Sequence, residues 1–394
     1  MKVMTRASTM ALDSDTISSR RGWKLMKSRS IILLLALFAL LVACHHSSVV
    51  PEPIAETAAL AASQATADSA VSLKEIPFVK RSFSPYIDEK WIGNAISYGC
   101  YREGQAPGVQ GASEAEILED LNILKEHWNL IRVYGSDNDS ERILKVIHEN
   151  KLPFKMMLGI WLENETKHPE RKVLNEEQVT KAIELANRHR DIVAAVNVGN
   201  ESQVFWSWHR MEAESLIKYI RTVRANIVQP VTTADDYGFW NKPESQAVAD
   251  ELDFIALHAY PLWNGQSLDY AMHWADSVYQ DIQIRHPDMT IVLSEIGWAT
   301  VYNPEKTGPG EQGSLIKAEV SIRAQEQFLI DLNQWINEKQ VSTFLFEAFD
   351  EPWKGGGDQS GPDEVEKHWG VYNSDRTPKE SLVNYQIEVS KNPE

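Results

Sequence analysis

Eight short apolar or β-branched runs recur along this chain at near-even spacing, and that alternation limits the fold more than any other feature. The runs are Trp91–Ser97, Leu130–Tyr134, Phe154–Ile160, Ile192–Val198, Val231–Ala234, Phe254–Leu257, Thr290–Leu293 and Thr343–Phe346. The seven intervals between Trp91 and Thr343 average 36 residues, room for one strand, one helix and their loops. The intervening segments carry a helical period. Ser113 to Trp128 opens with Ser113-x-x-Glu116, a capping box, and repeats apolar residues at Ile117, Leu121, Leu124 and Trp128. Asn175-x-x-Gln178 is read as the start of another helix, with Val179, Ala182, Ile183 and Ala186 on one side. Glu214–Ile227 and Ala318–Trp335 continue the alternation. Eight βα units predict an α/β fold, a single (β/α)8 TIM barrel. The competing doubly wound sheet would want a phosphate-binding turn after the first strand, and Gly99–Gly108 lacks one.

The 394 residues carry a formal net charge of −17 and 43% hydrophobic residues. This balance excludes wholesale disorder and a polytopic membrane protein. The acidic excess argues against a nucleic-acid partner. Two cysteines make no disulfide framework. Ile31–Val42 is an unbroken apolar run, too short to span a bilayer, for which about 20 residues are needed. It suits a signal-peptide core behind the basic residues Lys24, Lys27 and Arg29. Leu41-Val42-Ala43-Cys44 resembles a bacterial lipobox, which implies cleavage before Cys44 and its lipidation. Asp13 and Asp15 make residues 1–25 an odd leader, so translation is expected to start at Met26. Residues 45–85, rich in Ala, Ser, Thr and Pro, read as a flexible linker. The expected organisation is therefore signal and anchor over 1–44, linker over 45–85 and catalytic barrel over 86–391. Cys100, with no Cys-His signature around it, is expected to be a buried packing residue.

Several chemistries lack local support. Gly308-Pro309-Gly310-Glu311-Gln312-Gly313 matches G-x-G-x-x-G in letters, but it follows a loop and places Glu311 where pyrophosphate would sit. No His-Glu-x-x-His, G-x-S-x-G or Cys-x-x-Cys occurs. Asp137-Asn138-Asp139 lacks the rest of a calcium loop. No metal or organic cofactor is expected.

Carboxylates at strand ends remain. Strand four runs into Val198-Gly199-Asn200-Glu201, and strand seven into Leu293-Ser294-Glu295-Ile296-Gly297-Trp298. In a barrel these positions face each other across the mouth. Two opposed carboxylates are what glycosidic cleavage needs, one to protonate the leaving oxygen and one to attack or activate water. A single Glu after a strand is commonly a solvated charge; two such, beside Gly and Asn, carry more meaning. Of the 13 tryptophans, Trp161, Trp206, Trp208, Trp240, Trp263, Trp298 and Trp353 fall just after predicted strands. Flat aromatic faces there would suit sugar rings, with a large apolar ligand as the alternative.

The segments Arg132-Val133-Tyr134-Gly135-Ser136-Asp137, Val198-Gly199-Asn200-Glu201, Ser294-Glu295-Ile296-Gly297-Trp298, Phe346-Glu347-Ala348-Phe349-Asp350-Glu351 and Trp369-Gly370-Val371-Tyr372 resemble glycoside hydrolase family seventeen, the β-1,3-glucanases. Tyr98-Gly99-Cys100-Tyr101-Arg102-Glu103-Gly104-Gln105 resembles its bacterial branch. The resemblance implies a retaining mechanism, with Glu201 as acid/base, Glu295 as nucleophile and Asn200 at the sugar 2-hydroxyl. It further implies substrate contacts from Tyr134, Asp137, Tyr260, Trp298, Glu351 and Lys354. Ile296 and Ala299 depart from the plant pattern. The expected substrate is a β-1,3-linked glucan and the expected protein a monomer, lipid-anchored in a bacterial envelope, the outer membrane being favoured by His45. Endo and exo action, transglycosylation with the same residues, and a glucan-binding surface lipoprotein stay open at this point.

Overall fold

The computed structural model describes residues 78–391. The expected signal, Met26, Cys44 and the linker up to residue 77 lie outside the described residues. Strands that are apolar on both faces and joined by helices pair in parallel, and eight of them remove their edges by closing on themselves. The barrel strands are β1 (Asn94–Ser97), β2 (Leu130–Arg132), β3 (Lys155–Ile160), β4 (Val193–Asn200), β5 (Val231–Asp236), β6 (Ile255–His258), β7 (Ile291–Ile296) and β8 (Thr343–Leu345). They follow one another around a closed barrel in which β8 pairs with both β7 and β1. The principal helices are α1 (Glu114–Leu124), α2 (Asn138–Glu149), α3 (Arg171–Arg188), α4 (Ala213–Asn226), α5 (Ser245–Ala249), α6 (Leu268–Arg285), α7 (Ile322–Lys339) and α8 (Glu380–Lys391). The predicted (β/α)8 barrel is thus the observed fold. Among the described residues no helix is long and apolar enough to cross a membrane.

Local chemistry explains most boundaries. Ser113 and Glu116 form the expected capping box, satisfying backbone donors in both directions. Asn175 does not open a helix, because α3 begins four residues before it. Its buried amide instead accepts from Glu163 N at 2.9 Å and donates to Glu163 O at 3.0 Å, pinning the β3–α3 loop. Helix α7 starts later than the apolar period indicated, at Ile322, where Ser321 caps Ala324 N. Strands β4 and β7 each run past the apolar stretch that predicted them. Asn200, Ser294 and Glu295 are therefore ladder residues, polar side chains buried at the ends of strands.

One pole of the barrel is sealed. Ala95, Leu130, Met157, Ala195, Ala234, Ala256, Val292 and Phe344 fill the interior near the strand starts, mixing small and large side chains. A hairpin of Tyr86–Ile87 and Lys90–Trp91 lies beneath them. From the chain before it, Phe83 stacks on Phe254 with ring centroids 4.8 Å apart, and Arg81 N donates to Asp253 Oδ1 at 2.6 Å. The opposite pole, at the strand C-termini, stays open.

A buried ionic clamp joins the two ends of the barrel sequence. The Arg376 guanidinium meets both oxygens of Asp120 on α1 at 2.8 and 2.9 Å, and Tyr98 OH donates to Asp120 Oδ2 at 3.0 Å. Asp120 is fully buried. Removing one partner of such a pair strands the other charge. Asp120→Ala should therefore cost about 3–5 kcal/mol, read as a lowered urea midpoint with an unchanged slope.

Candidate active site

The open pole holds a cleft of about 980 Å³. Its walls include Tyr98, Tyr134, Asp137, Asn200, Glu201, Glu295, Trp161, Trp208, Trp353, Glu351 and Lys354. The two glutamates reach it by different backbone routes. The β4–β5 register slips between Asn197 and Asn200, and Gly199 and Glu201 follow with φ of +81° and +50°. A slip of this kind re-aims a strand end. Glu201 is held there because its N–H donates to Ala234 O at 2.8 Å. A Cβ on Gly199 would lie 2.6 Å from Ser202 Oγ, so only glycine fits that positive-φ position comfortably. Glu295 projects from within β7, whose pairing with β6 and with β8 also slips in register between Leu293 and Ile296, but without a positive φ.

Arg132, fully buried on β2, organises the floor. Its Nη1 donates to Glu295 Oε1 at 2.5 Å and to Ser294 O at 3.2 Å, while Nη2 donates to Asn200 Oδ1 at 2.5 Å. Glu295 also accepts from Tyr134 OH at Oε1, 2.9 Å, and from Tyr260 OH at Oε2, 2.6 Å. Glu201 has a different environment, with His258 Nδ1 at 3.1 Å from its Oε1. Burial drives the Glu201 carboxyl well above its ordinary value, helped by the neighbouring Glu295 and by Asp236 and Asp235. Burial also acts to raise Glu295, but the nearby His258 and Arg132 and the hydrogen bonds from Tyr260 and Arg132 outweigh it. Its carboxyl sits below the ordinary value. Burial itself pushes the His258 imidazole down to about 3, so the fixed positive charge beside Glu295 is Arg132. One glutamate thus favours its acid form and the other its carboxylate.

Glu201, His258 and Glu295 bring three ligand-type atoms within 4.8 Å of one another. A cation placed there would meet Arg132 already seated on Glu295. Lys354 completes the rim, with Nζ 2.8 Å from Glu351 Oε2 and 2.5 Å from Glu347 Oε2. Gly99 makes room for this group, since a Cβ there would lie 2.1 Å from Glu351 Oε1.

Seven of the expected site residues, Tyr134, Asp137, Asn200, Glu201, Glu295, Glu351 and Lys354, line this cleft. Tyr260 reaches it through Glu295. Asp137 is engaged in capping α2, its Oδ1 accepting from Asp139 N and Ser140 N at 2.9 and 3.2 Å. Trp298 is a correction. It is buried against Phe328 of α7 and donates to Glu319 O at 3.0 Å, because the chain turns outward after β7 and delivers the indole between barrel and helix. Trp240 is likewise packed inside, donating to Ala256 O. Of the seven strand-end tryptophans, Trp161, Trp208 and Trp353 line the cleft. Cys100 is buried as expected, its thiol pushed up to about 12 mainly by burial.

Arg132 and His258, to which the sequence reading assigns no role, both touch the carboxylates. The signal available was a charged or titratable residue terminating an apolar strand. Glu366 gave no such signal. It sits in the loop after β8, lines the cleft, and burial holds it up to about 7.

The opposite shifts of the two glutamates have a consequence for stability. Glu201 retains its proton in the folded chain at pH values where the unfolded chain has lost it, so folding becomes less favourable as pH rises above the ordinary glutamate range. Glu201→Gln removes that penalty. The variant should melt above the wild type at pH 7, and the gap should close on acidification to about pH 4, as followed by thermal unfolding across pH.

The model of the BtgE/BtgC glycoside hydrolase domain matches residues 95–370. The btgC protein of Aspergillus niger is 30% identical over 285 residues, 68% of this chain and 40% of its own length. The "Glucan 1,3-beta-glucosidase" of Arthroderma benhamiae is 27% identical over 300 residues, 72% of this chain and 89% of that protein. The chain thus spans well under half of the btgC relatives and most of the shorter one. Among solved structures, an endo-laminarinase from Formosa Hel1_33_131 superposes with a TM-score of 0.64 at 23% identity, over 75% of this chain and 88% of that one. A β-1,3-glucanosyltransferase from Rhizomucor miehei does so at 0.57 and 24%, over 73% and 96%. These two share the barrel. With a family model covering most of the described barrel, from β1 to the segment after β8, the chain belongs to the BtgE/BtgC glycoside hydrolase domain family.

Proposed function

We propose that this chain is a retaining β-1,3-glucan hydrolase of the bacterial branch of glycoside hydrolase family seventeen, with Glu201 as acid/base and Glu295 as nucleophile. The observation that carries this reading is the opposite protonation preference of two carboxyls that offer oxygens within 4.8 Å of each other on the floor of an aromatic-walled cleft. Retention uses carboxyl groups about 5–5.5 Å apart, whereas inversion leaves about 6.5–9.5 Å for a water. Glu295 attacks the anomeric carbon while Glu201 protonates the departing oxygen. Water then enters with Glu201 as base and releases the sugar. Asn200, held by Arg132, presents its amide to the 2-hydroxyl. Tyr134, Asp137, Glu351 and Lys354 supply polar contacts along the cleft. The names borne by the relatives, glucan 1,3-beta-glucosidase among them, support a β-1,3-linked substrate.

A second reading uses the same intermediate but a sugar acceptor. It is favoured by the likeness to a solved β-1,3-glucanosyltransferase. A time course on laminarin, mixed-linkage glucan and cellulose, with products resolved by size, separates the outcomes. Glucose alone means exo action, a ladder means endo action, and products longer than the substrate mean transfer. Cleavage of none of the β-1,3-linked substrates would refute the proposal. Glu201→Ala should lower kcat/KM on laminarin by about 10²–10⁴-fold, with turnover of activated aryl glycosides restored by azide. Absence of rescue would remove Glu201 from the acid/base role.

The N-terminal segment completes the reading. Lipidation at Cys44, translation from Met26 and a linker over 45–85 would present the monomeric 86–391 domain at a bacterial envelope, with the outer membrane favoured. Cys44→Ser should move the protein from the membrane to the soluble fraction and abolish labelling by a radioactive fatty acid. An unchanged membrane fraction would refute the anchor.

A further inference from the structure

His258 ends β6 with its imidazole fully buried between the two carboxyls. Nδ1 lies 3.1 Å from Glu201 Oε1, and Nε2 lies 3.4 Å from Glu295 Oε1. The two contacts are unequal. Glu295 already accepts from Arg132 and Tyr134 at Oε1 and from Tyr260 at Oε2, all within 2.9 Å. Nε2 has no hydrogen-bond partner among the described residues. Glu201 has no comparable set of donors. Among the described residues its side chain is engaged by His258 Nδ1 at Oε1, and Oε2 meets no protein donor.

We infer that His258 is a positioning residue that stays neutral through the reaction, donates Nδ1–H to Glu201 Oε1 and so places the acid's proton on Oε2. The inference rests on Glu201 being the acid/base, as proposed above. The carbonyl oxygen of a carboxylic acid is the stronger acceptor, so a donor fixed at Oε1 favours the mobile proton on Oε2. The ring must remain neutral, because an imidazolium at 3.1 Å would favour the Glu201 carboxylate. Its surroundings hold it so. Burial is the dominant influence, with Arg132 of β2 opposing ring protonation and Glu295 of β7 favouring it. Glu201, just past the end of β4, and Asp236, paired in register with His258 on β5, are the other titratable groups beside it, and burial lifts Asp236 to about 7.

The proton count then closes. Glu295 carboxylate forms the bond to the anomeric carbon as the bond to the leaving oxygen breaks. The leaving oxygen keeps that electron pair and takes the proton from Glu201 Oε2. Glu201 becomes a carboxylate, still holding Nδ1–H at Oε1. Water returns a proton to Oε2 as its oxygen attacks the anomeric carbon, and the ester bond to Glu295 breaks to regenerate its carboxylate. The His258 proton never leaves Nδ1.

Two amide substitutions divide the ring's functions, since Asn places an amide near Nδ1 and Gln places one near Nε2. Each is assayed on a laminari-oligosaccharide and on a dinitrophenyl glycoside, which needs no proton to depart. His258→Gln should lose about 10²-fold in kcat on the oligosaccharide but under about tenfold on the activated substrate, with KM little changed. Its basic pH limb should move upward, because a donor to the Glu201 carboxylate has gone. His258→Asn should recover at least about tenfold of the lost kcat and bring the limb back. Equal losses on both substrates with an unmoved pH profile would reduce His258 to packing and overturn the inference. Rescue by Gln instead of Asn would assign the working contact to Glu295 and overturn it as well. ¹⁵N NMR of histidine-labelled wild type offers a test that does not depend on a variant folding. A single Nδ1–H tautomer from about pH 5 to 8 is expected, and an Nε2–H tautomer would overturn the assignment. A wild-type protein that cleaves no β-1,3-glucan would remove the underlying reading too. Wild-type cleavage with the uniform losses described would remove this inference alone.

Discussion

A guanidinium with no access to solvent sits at the centre of the barrel mouth, and the site is built around paying its desolvation. Arg132 is fully buried yet reaches Glu295, Ser294 O and Asn200 across three strands. A buried cation needs hydrogen bonds and a counter-charge to offset its desolvation, and here Nη1 and Nη2 find them while Nε has no hydrogen-bond partner among the described residues. Glu295 provides the counter-charge and is held as a carboxylate in return. Asn200 is oriented by the second guanidinium arm. The barrel supports this by closing around it, since β2, β4 and β7 are each paired on both sides within the closed ring.

The asymmetry between the two glutamates follows from that single cation. Both are buried in one cavity, and burial alone would push both carboxyls upward. Arg132 and two tyrosine hydroxyls reach Glu295, whereas a neutral imidazole reaches Glu201. Coulomb repulsion between the pair then reinforces the split, because ionising Glu295 makes ionising Glu201 harder. Aromatic walls keep the cleft apolar enough for these differences to persist, with Trp353 set edge-on to Tyr101 at 5.6 Å.

The barrel was legible in the sequence because its strands are buried on both faces and therefore apolar, with helices of a different period between them. Its strand ends were less legible. Asn200 and Glu295 belong to the ladder, but polarity alone reads as the end of a strand. Asn175 misled for a related reason: the letters of a capping motif do not reveal that the amide serves a neighbouring loop. Glu201 and Glu295 were legible because two carboxylates at matching positions of a repeat must converge. Trp298 was not, since sequence places it beside the site while the backbone direction after β7 sends it behind. Arg132 and His258 stood in plain view, but their role depends on which strands face each other.

The sealed pole has a mechanical consequence. The chain enters the domain from the strand-start face, where Arg81, Phe83 and the hairpin are fastened to Asp253 and Phe254. A load applied through the preceding chain is taken up there, at the end of the barrel away from Glu201 and Glu295.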